Sequence, residues 1–275
     1  MHTRNSAPRA KKSLGQHFLR QPGICLRIAA LLHAQENDKI LEIGPGPGAL
    51  TRALEQQPHA LLLLLEKDAH WARERQKEAG LRTQSVLTDA LRFDWRRITP
   101  GNPWKIAGNL PYNVASPLIW DIVSLATGWT RAVFMVQKEV GQRLAAQPGT
   151  ASYGALSVWV QSFARPRLEF TVGPGAFLPP PKVDSAVLTF LPRPPEERPA
   201  APKKLAHLLR ICFQQRRKQL GGIFRRCGQP SLEEAFFRTG LSPTLRPENL
   251  SRENFQRLAV FWTSQLDKKS QKVLS

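Results

Sequence analysis

The feature that most constrains this chain is a series of short apolar segments that alternate with helical ones, opening on a loop punctuated by glycine. Lys39–Ile43 (KILEI) reads as a strand and runs directly into Gly44-Pro-Gly46-Pro-Gly48, after which residues 49–57 have helical character. Residues 60–65 (ALLLLL) have no polar face, which suits a strand buried on both sides, and 68–79 follow as a helix. Further strands are expected over 83–87, 104–107 and 132–136, with a helix over about 117–125 between the last two. Such alternation builds a mainly parallel α/β sheet covered by helices on both faces. A helix over 24–33 precedes the series and an alternating strand, 183–191, closes it.

Beyond the series the character changes. Residues 192–202 (PRPPEERPAAP) are rich in proline and polar, a linker by composition, and from Lys203 onward the pattern is helical, with Leu205, Leu208, Leu209, Cys212 and Phe213 on one face. The expected organisation is a basic arm over 1–20, an α/β domain over 21–200 and a small all-helical domain over 201–275.

Charge narrows the partners. Forty Lys and Arg against 21 Asp and Glu give a net charge of +19, a field that attracts polyanions, and nucleic acid is the expected one. The three cysteines, Cys25, Cys212 and Cys227, form no C-x-x-C pair, which argues against a disulfide framework or a zinc site and fits a reducing, cytoplasmic setting. The longest apolar run, 60–65, is too short to cross a bilayer. Neither metal nor membrane is expected.

The glycine loop sits between strand and helix, where side chains would keep a ligand from the backbone. Glu66 closes the next strand at the distance suited to a ribose. Gly44, Gly46 and Ala49 meet the loose dinucleotide pattern, so these features alone leave NAD and S-adenosylmethionine both open. Asn109-Leu110-Pro111-Tyr112, after the fourth strand, discriminates, because it resembles the motif of enzymes that methylate an exocyclic amine. The amino lone pair of adenine is delocalised into its ring. Two acceptors, the Asn109 side-chain oxygen and the Leu110 carbonyl, would favour a pyramidal nitrogen and free that pair. Pro111 stiffens the loop and removes a competing donor. Tyr112 offers a face on which an extruded base can stack. No candidate acid–base pair for hydride transfer stands near these loops.

Two more segments, Lys12-Ser-Leu14-Gly15-Gln16-His17-Phe18-Leu19 and Phe177-Leu-Pro179-Pro-Pro181-Lys-Val183-Asp184-Ser185, complete the pattern. With them, residues from about 11 to 260 resemble the ribosomal RNA adenine N6-dimethyltransferase family, most closely its bacterial small-subunit (16S) members. The resemblance implies a Rossmann-like class I methyltransferase domain and S-adenosylmethionine as cofactor. It implies that His17 and Leu19 border the methionine end of the cofactor, that Glu42 and Gly44 form its floor with Gly46 and Gly48 shaping the loop, that Glu66 binds the ribose hydroxyls and that Asp89 accepts from the cofactor adenine. Asn109 would touch both cofactor and target, and Phe177 would stack on the flipped adenine opposite Tyr112. His17 departs from the Asn found in many members. Two adjacent adenines near the 3′ end of 16S rRNA are the implied target, in a small subunit or its precursor, with a role in subunit biogenesis.

In the C-terminal part, residues 203–228 hold eight basic residues and no acid. Phe213-Gln-Gln-Arg216-Arg217-Lys218-Gln-Leu220 matches a family segment and gives Arg216, Arg217 and Lys218 as RNA-contacting candidates. Arg246-Pro-Glu-Asn-Leu-Ser251 resembles a family turn in which Ser251 caps the last helix. Asp184 reads as a loop anchor, and Gln137–Val140 as the start of a surface helix whose Lys138 can meet a phosphate. A monomer is expected. The competing readings are a 23S rRNA adenine methyltransferase and a non-catalytic rRNA-binding assembly factor.

Overall fold

A computed structural model describes residues 16–101, 103–227 and 232–262. The greater part of the expected basic arm, including Arg4, Arg9, Lys11 and Lys12, and the C-terminal lysines at 268, 269 and 272 lie outside the described residues. Contacts divide the chain into two units, one of residues 1–141 and 165–192, the other of 142–164 and 193–275.

The first unit is a seven-stranded sheet. A two-residue strand, β1 (Phe18–Leu19), and a helix, α1 (Pro22–Ala30), precede β2 (Lys39–Ile43), α2 (Ala49–Leu54), β3 (Leu61–Glu66), α3 (Ala69–Glu78) and β4 (Thr83–Leu87). The chain then returns through β5 (Trp104–Asn109), α4 (Ala115–Leu125), β6 (Trp129–Gln137), α5 (Lys138–Leu144), β7 (Ala164–Val172), β8 (Phe177–Leu178) and β9 (Ser185–Pro192). The order across the sheet is β4-β3-β2-β5-β6-β9-β7. Strands β2 to β6 pair in parallel, and β9 joins β6 antiparallel. β2 therefore has β3 on one side and β5 on the other, and the chain reverses its direction of winding between β2 and β5, which opens a crevice at their carboxyl ends. The strands approach closely there, since a Cβ on Gly108 would stand 2.9 Å from the Ile43 carbonyl oxygen.

The expected strands all form. Leu62 and Leu64, which share one face of β3, are fully buried in the same apolar cluster as Ile28 of α1 and Leu54 of α2, and on the opposite face Leu65 is buried while Leu61 and Leu63 are half-buried. β7 has no counterpart in the sequence reading. Its pattern (ARPRLEFTV) is mostly polar and half exposed, because an edge strand has only one partner to cover it.

The second unit is helical: α6 (Ala155–Phe163), α7 (Pro202–Gln214), α8 (Leu220–Arg226), α9 (Leu232–Thr239) and α10 (Arg252–Phe261). This corrects the expected contiguous domain of 21–200. Residues 142–164 leave between β6 and β7 and pack with the C-terminal helices, because α6 (ALSVWVQSF) buries Val158, Trp159 and Phe163, for which α7 and α10 supply the apolar partners. The proline-rich 192–202 segment is not a slack linker either. The Arg193 amide donates to the Phe163 carbonyl (2.8 Å), and Glu197 accepts from Arg193 and pairs with Arg252. Ser251 caps α10 as expected, accepting from the Asn254 amide at 3.2 Å.

Candidate active site

Four neighbouring parallel strands end at one cleft of about 980 Å³, counting its solvent-open mouth. Gly44 follows β2, Glu66 ends β3, Asp89 lies two residues past β4, and Asn109 ends β5. A parallel sheet points all its carboxyl ends the same way, so motifs spread over 65 residues of sequence meet at one edge. Gly44, Gly46, Glu66, Asp89, His17, Asn109, Leu110, Pro111 and Tyr112 all line this cleft.

At one end the backbone does the shaping. Gly44 (φ +66°) and Gly46 (φ +51°) hold left-handed conformations that a side chain disfavours, and a Cβ on Gly46 would also press to 3.1 Å from the Phe18 ring. Glu66 is 5 % exposed, and it is held from both sides: Gly46 N–H donates to Oε2 (3.0 Å) and Asp68 N–H to Oε1 (2.7 Å). Burial raises its pKa and the backbone donors oppose that rise. Asp89 differs, its pKa held down by the Lys67 ammonium at 2.8 Å, while Oδ1 also accepts from the Leu91 amide at 3.0 Å.

At the other end, three distant segments converge. The Asn109 Nδ2 donates to the His17 carbonyl at 2.9 Å, which leaves the side-chain oxygen as its acceptor. The Leu110 amide donates to the Met135 carbonyl at 3.0 Å, and the Pro111 carbonyl accepts from Val114 and Ala115 at 3.1 Å each, so both flanks of the Leu110 carbonyl are fixed. The Tyr112 hydroxyl meets Ser185 Oγ at 2.7 Å, and its ring stacks on His17 with centroids 5.4 Å apart. Burial holds the phenol above its ordinary pKa, hence neutral.

Three expected contacts do not fall on the cleft. Phe177 is 2 % exposed and belongs to the apolar core together with Leu19, its antiparallel partner across β1 and β8. Its ring is taken up by packing, and the ring found against Tyr112 is that of His17. Glu42 faces α2 instead, accepting from Thr51 Oγ1 at 2.7 Å, and full burial pushes its pKa up to about 8. Lys138 is also accounted for: it pairs with Asp184 (3.1 Å), which is the loop anchor expected of that aspartate. In the second unit Arg216 donates to Glu248 (2.9 Å) and to the Ala151 carbonyl (3.0 Å), so it ties α7 to two loops, whereas Arg217 and Lys218 line a small basic cleft with Arg225, Arg226 and Arg246.

Residues 7–263 match the family described as "Ribosomal RNA adenine dimethylase". The chain belongs to that family. It is 56 % identical over 251 residues to the "Ribosomal RNA small subunit methyltransferase A" of Nitratidesulfovibrio vulgaris (strain DP4), covering 90 % of this chain and 94 % of the relative. Among solved structures it is similar to a dimethyladenosine transferase from Plasmodium falciparum, with a TM-score of 0.74, 26 % identity, and coverage of 92 % of this chain and 98 % of that one. It is also similar in fold to the 23S rRNA methyltransferase ErmE, with a TM-score of 0.66, 24 % identity, and coverage of 89 % and 99 %.

This rRNA adenine dimethylase takes its methyl groups from S-adenosylmethionine, and the cleft fits that cofactor. A buried carboxylate, Glu66, accepts from the Gly46 amide of the glycine turn and has the acceptor chemistry that a cofactor ribose calls for, while Asp89 lies one strand further along. The sequence reading missed the apolar lining between them: Ile43, Leu65, Ala90 and Leu91. Ile43 and Leu65 were legible only as strand residues, since nothing in a buried strand marks which member reaches the cleft. No group of His, Cys, Asp and Glu among the described residues is arranged to hold a metal ion, and none of the described helices is long and apolar enough to cross a membrane.

Proposed function

We propose that this dimethylase acts on the 16S rRNA of the small ribosomal subunit or its precursor, adding two methyl groups to N6 of each of two adjacent adenines near the 3′ end. The small-subunit target is supported by the name borne by a relative 56 % identical over 90 % of the chain. The observation that carries the chemistry is that the Asn109–Tyr112 loop opens on the same cleft as Gly44, Gly46, Glu66 and Asp89. The enzyme is read as a cytoplasmic monomer that takes part in subunit biogenesis.

On this reading Glu66 accepts from the ribose hydroxyls and Asp89 from the cofactor adenine amine. Gly44 and Gly46 let the backbone approach, and His17 borders the cofactor. Leu19 and Glu42 act one layer out, supporting β1 and the glycine turn. S-adenosylmethionine supplies a sulfonium-activated methyl group. The Asn109 side-chain oxygen and the Leu110 carbonyl accept from the target amine and orient its lone pair, and Pro111 keeps the loop stiff. Tyr112 carries the extruded base on its ring, a contact worth about 1–3 kcal/mol in single-strand binders. No residue needs to act as a strong base, since the amine becomes acidic as it is methylated. Arg217 and Lys218 contact phosphates, positioning the RNA without reading its sequence.

The test is methyl transfer to undermethylated small subunits and, separately, to protein-free 23S rRNA, with mass mapping of the modified nucleotides. Dimethyladenine at two adjacent 16S positions is expected. Preferential methylation of 23S rRNA would overturn the assignment of target.

A further inference from the structure

Tyr112 is gripped from two directions by residues outside its own motif. Ser185, the first residue of β9, is fully buried and lies opposite Gln137 in the β6 pairing. Its predecessor Asp184 is fixed at both ends: the Lys138 amide donates to its carbonyl (2.9 Å) and the Lys138 ammonium meets its carboxylate (3.1 Å). The Ser185 hydroxyl therefore stands at a defined point, 2.7 Å from the Tyr112 oxygen. On the ring face is His17, with an interplanar angle of 29°. His17 Nδ1 lies 2.8 Å from the Pro179 carbonyl oxygen, and because a carbonyl only accepts, Nδ1 bears the hydrogen and the imidazole plane is set. The 177–185 segment thus reaches the target end through Pro179 and Ser185, while Phe177 stays in the core.

We propose that Ser185 and His17 are positioning residues for methyl transfer: Ser185 fixes the phenol end of Tyr112, and His17 occupies one face of its ring so that the target base stacks on the other. The proposal rests on Tyr112 being the platform for the base. A phenol ring free to swing would present the base to Asn109 and Leu110 over a range of angles, and a small misplacement at a reacting centre is costly.

A double-mutant cycle separates this role from simple support of the fold. Single-turnover methyl transfer is measured for Ser185→Ala, Tyr112→Phe and the pair, on whichever rRNA acceptor the wild-type enzyme methylates. Each single variant is expected to be slower by about 3- to 10-fold, the worth of one hydrogen bond, and the pair no slower than Tyr112→Phe alone. Cofactor affinity by titration is expected to stay at the wild-type level in Ser185→Ala. His17→Ala is expected to slow transfer in the wild-type background but not in Tyr112→Ala. If Ser185→Ala slows Tyr112→Phe as much as it slows the wild type, or if neither single variant is slowed, the proposal fails. Should Ser185→Ala not fold, Tyr112→Phe removes the same hydrogen bond from the other side, and a wild-type rate there is equally fatal. Because the acceptor is chosen by the wild type, a wrong rRNA target would not be mistaken for a failure of positioning.

Discussion

At the end of the cleft lined by Gly44, Gly46, Glu66 and Asp89, polar partners are close in sequence. Gly46 reaches Glu66 across 20 residues, and Glu66 and Asp89 each accept from an amide two residues on. At the end lined by Asn109 and Tyr112 the separations are 92 residues to His17 and 73 to Ser185, and 162 more link His17 to Pro179. The first end is built from consecutive strand–loop–helix units, each bringing its own contacts. The second exists only after the sheet has carried three remote segments together. The two ends should therefore be separable by mutation, one governing cofactor affinity and the other the transfer step.

Asn109→Ala gives the sharpest cut. Loss of one preorganised hydrogen-bonding group at a reacting centre costs on the order of 100-fold or more in rate, so transfer is expected to fall far more than cofactor affinity does, with RNA affinity nearly intact. Glu66→Gln is expected to do the reverse, weakening cofactor binding roughly 10-fold with near-normal transfer at saturation. If Asn109→Ala lost the cofactor as well, the two ends would be one unit and the contrast would break.

A smaller effect extends the comparison to the helical unit, where neighbours in one motif differ in role. Arg216 is partly exposed, so solvent screening trims its pairing with Glu248, and Arg216→Ala is expected to destabilise the protein by about 1 kcal/mol in thermal or urea unfolding. Arg217→Ala is expected to leave stability unchanged and to lower the slope of log affinity for RNA against log salt by about 1. Equal behaviour of the two would mean that the Arg216 strut does not matter in solution.

A pH-dependent effect lies beneath the cofactor end. Glu42, with its pKa raised to about 8, keeps its proton in the folded protein over a range where the unfolded chain has lost it. Folding then takes up a proton, so this group's stabilising contribution is full below the ordinary carboxylate range and fades as pH climbs toward 8. Glu42→Gln, which still accepts from Thr51, is expected to raise the Tm at pH 8 and to leave it unchanged near pH 4. A gain equal at both pH values would show that Glu42 is ionised when folded.

The amino-acid sequence by itself determined the strands β2 to β6, the glycine turn and the place of Glu66 at a strand end, because strand periodicity and turn chemistry act over a few neighbours, whereas Asn109 and Asp89 were legible through the resemblance of their segments to known motifs. Tertiary structure alone decided that Phe177 goes to the core and His17 to the ring of Tyr112, that Arg216 braces while Arg217 stays available, and that α6 leaves the sheet domain for the helical unit. Each of those outcomes is a competition between partners distant in sequence, settled by which apolar surface or acceptor is within reach once the sheet has closed, and no local pattern encodes that distance.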